Sequence, residues 1–186
     1  MAEDDDENDY FFIIDEINRG NLSKIFGELF MLIEKDKRGI ELQLLYSDEN
    51  FSVPANVYII GMMNTADRSL AMLDYALRRR FSFFTMKPGF NTPGFQAYQD
   101  SLKNDAFNKL IACVKQLNSK IAEDISLGEG FCIGHSYFCG LTPETANTQT
   151  LSSIVEYELI PLLKEYWFDE PAKIVDWSDR LRSAVK

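Results

Sequence analysis

Tyr10-Phe11-Phe12-Ile13-Ile14-Asp15-Glu16 is the stretch on which the fold turns. Five apolar residues, aromatic and β-branched, are too few for a helix and show no polar alternation. Such a run suits a strand buried on both faces of a parallel sheet. It delivers two carboxylates to the C-terminal end of that strand, the edge where open α/β sheets bind ligands. A first carboxylate can organise a magnesium ion, directly or through water, and a second can orient an attacking water. The same pair would also suit a helix N-terminus, where acidic residues are favoured.

Outward from this strand the pattern alternates. Upstream, Glu3 to Asp9 is a charge run, read as a solvated tail over residues 1–9. Downstream, Leu22, Ile25, Phe26, Leu29, Phe30 and Ile33 have the spacing of an amphipathic helix, with Asn21 as N-cap and the basic 35–39 stretch as its stop. A hairpin is predicted from Ile40–Tyr46 and Phe51–Val53. Val57–Met62 reads as a second buried strand, Leu70–Leu77 as a short helix and Phe81–Met86 as a third strand. Strand and helix in alternation predict an α/β layer over residues 10–87.

Lys87 to Gly94 is dense in Pro and Gly and reads as a linker. Beyond it, residues 88–186 predict a small, mainly helical lobe. Its helices are expected at Phe95–Leu102, Phe107–Ile121, Ile154–Trp167 (kinked or split by Pro161) and Trp177–Val185. Leu127–Gly140, rich in Gly and aromatics, reads as a loop with one or two short strands.

The bulk numbers set limits. A net charge of −10 disfavours direct DNA binding, which needs a basic surface for counterion release. No apolar run nears the roughly 20 residues that span a bilayer, and the acidic N-terminus lacks signal-peptide blocks, so a cytoplasmic, non-membrane protein is expected. Cys113, Cys132 and Cys139 make no CxxC pair. Cys132, His135 and Cys139 fit no closed four-ligand zinc set.

Two further pieces join the Asp15-Glu16 pair. Asn64 ends the Val57–Met62 strand, where its amide can reach a γ-phosphate or the attacking water; a simple turn is the alternative. Arg78-Arg79-Arg80 follows a short helix, where arginine can stabilise charge on a neighbour's nucleotide or complement the helix C-terminus.

Asp15-Glu16-Ile17-Asn18-Arg19, Met63-Asn64-Thr65-Ala66-Asp67-Arg68-Ser69, the run from Asp74 to Phe81, Ile133-Gly134-His135-Ser136-Tyr137-Phe138 and Glu165-Tyr166-Trp167-Phe168-Asp169 closely resemble the motifs of the McrB family. These are the GTP-using AAA+ subunits of modification-dependent (5-methylcytosine) restriction systems. The resemblance covers about residues 10–180 and implies a partial AAA+ P-loop NTPase sheet with helices, followed by a helical lid. It makes Asp15 and Glu16 the Walker B pair, with Asp15 holding Mg²⁺ through water, and Asn64 sensor I. Asn18, Arg19, Asp67 and Arg68 become family-signature or supporting residues, and one or more of Arg78, Arg79 and Arg80 the finger into a neighbouring subunit. His135 falls in the lid, where it reads either as a phosphate or proton sensor or as a packing element. Implied with these are GTP (or ATP) with Mg²⁺, a self-assembled ring, a hexamer, and a nuclease subunit of the McrC type, with DNA met only indirectly.

One motif of that family does not occur. The sequence has no G-x-x-x-x-G-K-[ST] loop to cradle the triphosphate. The family fold sets the strand feeding that loop between the sensor strand and the 81–86 strand, so apolar residues on both are expected to be exposed. The chain therefore reads as a fragment of a motor, with a non-catalytic remnant that joins rings of intact subunits as the alternative.

Overall fold

A computed structural model of the chain describes residues 2–5, 7–45, 47–66 and 78–186, apart from the side chains of Leu22, Ser23 and Glu28. They form two compact units, 1–84 and 85–186. The helix expected at Leu70–Leu77, with Asp67 and Arg68 before it, lies outside the described residues.

In the first unit β1 (Tyr10–Ile14) pairs in parallel with β4 (Val57–Gly61), Tyr10 opposite Val57 and Ile14 opposite Gly61. Hydrogen bonds continue past both ends: Tyr10 N–H donates to Asn56 O at 2.8 Å, Met62 N–H to Ile14 O at 2.8 Å and Ile17 N–H to Met62 O at 2.9 Å. The strand forms where expected, but it is not buried on both faces. Phe11, Phe12 and Ile13 are each more than half exposed. The physical reason is the sheet's width, since only these two strands pair in it among the described residues.

Asn21 caps the helix that follows, its Oδ1 accepting from Lys24 N–H at 3.0 Å. The α-helix stops early. After α1 (Leu22–Phe26) the chain tightens into a 3₁₀ helix, Gly27–Met31. Gly27 has φ +48°, left-handed backbone that breaks the α ladder and that glycine adopts at least cost. The hairpin is two residues a side, β2 (Leu42–Gln43) against β3 (Asn50–Phe51). Phe81–Met86 forms no strand, contrary to expectation. It meets no ladder partner among the described residues, and a strand without one leaves its backbone groups to water. Apolar exposure is found on β4 and just past it, at Tyr58, Ile60 and Met62, and on this segment alike, at Phe83, Phe84 and Met86. A small core of Ile17, Phe30 and Ile33, with Ile14, Phe26, Ile59 and Phe81 packed on it, holds the unit together.

The second unit carries most of the buried apolar surface. Its spine is α3 (Asp105–Glu123), preceded by α2 (Pro93–Leu102). Phe107, Leu110, Ile111, Val114, Leu117 and Ile121 of α3 are at most 1% exposed, a face at helical spacing with nothing left in water. Pro161 does split its helix. α4 (Thr148–Ile154) gives way to a π-helical turn, Val155–Leu159, before α5 (Ile160–Tyr166). Proline has no N–H to donate and its ring crowds the carbonyl four residues back, which the wider turn accommodates. α6 (Pro171–Ala184) completes the bundle. Between α3 and α4 no strand forms. The 127–140 stretch takes 3₁₀ turns at Glu129–Phe131 and His135–Phe138 instead. Asn118 explains this: its Nδ2 donates to Ile133 O at 2.9 Å and its Oδ1 accepts from Ile133 N–H at 2.7 Å. One helix side chain satisfies the backbone that a strand partner would otherwise serve.

Candidate functional site

β1 and β4 run in parallel and in register, so Asp15-Glu16 and Asn64 leave the sheet at the same edge. The turn after β1 is tight. Asp15 is exposed, and its Oδ1 accepts from Glu16 N–H at 2.9 Å. Glu16 stands in left-handed backbone, φ 51° and ψ 45°, a conformation that costs a non-glycine residue about 1 kcal/mol or more and persists where its surroundings impose it. Here they are the Asp15 bond before it, the Ile17–Met62 bond after it, and Arg19 N–H donating to Glu16 O at 2.9 Å. Glu16 Oε2 is shut from solvent without a hydrogen-bond partner, 3.4 Å from Arg19 Nε. Asn18 is buried, and its Oδ1 is likewise enclosed without a partner.

Asn64 is exposed, and its Oδ1 accepts from Ala66 N–H at 3.0 Å, the turn geometry that sequence reading held open. Its Nδ2 lies on the same exposed loop. Arg78 and Arg79 are exposed, Arg78 lying 6.0 Å from the Phe83 ring centre. Arg80 turns inward. It pairs with Glu34 at 2.5 Å and lies 4.6 Å over the Phe30 ring, both within the first unit.

In the second unit His135 is a fastener. Its Nδ1 accepts from Gly89 N–H at 3.0 Å, and its ring meets Phe95 edge-on at 5.8 Å. Gly89 allows this close approach, since a Cβ there would lie 3.0 Å from the His135 ring and push it back by a few tenths of an ångström. Accepting at Nδ1 assigns the proton to Nε2, the neutral tautomer.

Three polar residues of this unit escaped the sequence reading. Asn118 is one. Asn104 is another, accepting from Phe107 N–H at the start of α3 while donating to Ala146 O. Asp124 is the third: its Oδ2 accepts from Trp167 Nε1 at 2.9 Å and from Lys173 Nζ at 2.9 Å, and its Oδ1 from Ser126. The Lys173 ammonium, then Ser126 and Trp167, hold its carboxyl well below the usual carboxylate range. Asn104 and Asp124 stand just outside α3, where an Asn or Asp is a cap signal, but their reach to partners 42 to 49 residues away is not visible locally.

Residues 4–81 match the AAA domain of the dynein-related subfamily, and residues 109–175 match the α-helical lid domain of McrB. An AAA domain with a helical lid is the class that these elements define. Within it the chain belongs to the McrB type. It is 52% identical over 191 aligned residues to the type IV methyl-directed restriction enzyme EcoKMcrB subunit of Escherichia coli strain K12, covering 97% of this chain and 42% of that protein. It is also 29% identical over 143 residues to the type II restriction enzyme BsuMI component YdiS of Bacillus subtilis strain 168, covering 66% of this chain and 42% of that one. The chain thus spans less than half the length of these relatives. No helix among the described residues is long and apolar enough to cross a membrane.

Proposed function

We propose that this chain is the water-activating, sensor and lid part of a nucleotide-hydrolysing motor that serves a modification-dependent DNA restriction complex, with GTP as its nucleotide. The observation that carries this reading is the shared sheet edge, which gathers Asp15, Glu16 and Asn64 beside one another. Residues 10–87 form the C-terminal part of the AAA subdomain and residues 88–186 the lid. Support for a restriction role comes from the two relatives, both named as restriction-enzyme components.

The donor set suits magnesium, a hard cation that prefers carboxylate and water oxygens. Asp15 is exposed and, among the described residues, accepts from its neighbour's N–H, so its carboxylate would hold the ion through water. The ion neutralises phosphate charge when bound. Glu16 orients the attacking water and accepts its proton through the side of its carboxylate turned away from Arg19. Asn64 donates from its amide toward the same water or the terminal phosphate. Arg79, exposed beside an inward-turned Arg80, is the residue that reaches a neighbour's nucleotide in a ring. A nuclease subunit would then perform cleavage.

The phosphate cradle is not among these 186 residues. Alone, the chain is therefore expected to bind GTP weakly and not to turn it over. Hydrolysis of GTP and ATP with magnesium tests this directly. Turnover by the isolated chain would overturn the division of labour. In the full subunit carrying this segment, Glu16→Gln should lower kcat by about 10² or more while nucleotide still binds.

A further inference from the structure

β4 ends in glycine, and a glycine inside a strand often marks the close approach of another group. At Gly61 that group is Ile17. A Cβ on Gly61 would lie 2.5 Å from Ile17 Cδ1, 3.2 Å from its Cγ2 and 3.4 Å from its Cβ. Ile17 cannot swing aside freely, being 6% exposed and packed with Phe30 and Ile33. Its own N–H is bonded to Met62 O, one residue beyond Gly61. The side chain of Ile17 therefore packs on Gly61, the last residue of β4, while its backbone holds the next residue, Met62. Ile17 directly follows the left-handed Glu16, and Asn64 lies three residues beyond Gly61.

We infer that Gly61 and Ile17 are positioning residues that lock the Asp15-Glu16 turn to the sensor strand, so that Glu16 and Asn64 keep one fixed relation through turnover. The inference rests on the reading of Glu16 and Asn64 given above. Without this lock the left-handed turn has one flank held and one free, and Glu16 relaxes toward commoner backbone. A displacement of about 1 Å at a reacting group can cost up to 10²-fold in rate.

The test has two readouts. In the 186-residue chain, hydrogen exchange at the Ile17 amide reports the lock itself: Gly61→Ala should expose it, and adding Ile17→Val, which removes the closest methyl, should protect it again. In the full subunit carrying this segment, Gly61→Ala should lower kcat about tenfold or more with KM for nucleotide within about twofold, and the double variant should recover most of that loss. A role confined to stability would lower the amount of active protein without a rescue of kcat by a smaller Ile17 side chain. Wild-type kcat in Gly61→Ala overturns the inference, as does a folded double variant that stays as slow as Gly61→Ala. If Gly61→Ala does not fold, the double variant must fold and turn over, and its failure overturns the inference too. Glu16→Gln is assayed alongside. Should it keep full turnover, the reading of the site falls; should it stop turnover while Gly61→Ala does not slow it, only the lock falls.

Discussion

Arg79 and Arg80 are neighbours in sequence whose surroundings differ. Arg80 is a third or less exposed along its side chain, ion-paired to Glu34 and stacked on Phe30, and so is part of the first unit's frame. Arg79 is exposed. Substitution should therefore separate two kinds of loss. Arg80→Ala is expected to lower the stability of the first unit by about 1–2 kcal/mol, the scale of a partly buried ion pair with a cation–π contact. Arg79→Ala should lower hydrolysis by assembled rings by about 10³. Unfolding curves and hydrolysis rates on both variants check the pair, and equal stability losses would merge the two roles. Three arginines in a row gave no means of telling them apart, because the difference lies in Glu34 and Phe30, more than forty residues upstream.

At the level of elements, what could be read locally was read well. The apolar run 10–14, the strand 57–61, the Asn21 cap and the α3 stripe depend on neighbours within one turn or one strand, and each formed. Apart from the early stop of α1 at Gly27, what failed depended on distant partners. Phe81–Met86 has strand composition, but a strand is a relation between two segments, and no second segment meets it among the described residues. Residues 127–140, rich in glycine and aromatics, read as a loop with one or two short strands, whereas Asn118 already occupies the Ile133 backbone. Site geometry followed the same rule: Asp15, Glu16 and Asn64 were legible as motifs, but the Ile17–Gly61 contact between them was not. Asn104 shows how such partners act on an element. It caps α3 and also holds the loop before α4 through Ala146 O. Asn104→Ala should cost about 2 kcal/mol in the second unit's unfolding free energy, a lost cap plus an orphaned carbonyl. Denaturant unfolding measures it, and a cost below about 0.5 kcal/mol would refute the double role.

For the molecule as a whole, the two units are unequal. Among the described residues three buried side chains anchor the first core, whereas the second has a continuous interior drawn from all of its helices. Two-state accounting with one midpoint will not describe both. Acid should act on the second unit through Asp124. Its carboxyl titrates lower folded than unfolded, so between those two values the unfolded chain binds more protons. The stabilisation is thus complete above the unfolded value of about 3.9 and is lost as pH falls below it. Asp124→Asn, which keeps the shape but not the charge facing Lys173, should cost about 1–2 kcal/mol at neutral pH and flatten the acid limb. Unfolding followed from pH 7 to 2 in both proteins tests this, and parallel limbs would exclude Asp124 as the cause. The chain also supplies the means to watch that limb. Both of its tryptophans, Trp167 and Trp177, are buried in the second unit. Excited at the indole band, the protein is in effect labelled on its lid alone, and its emission is blind to the half that carries Asp15 and Glu16.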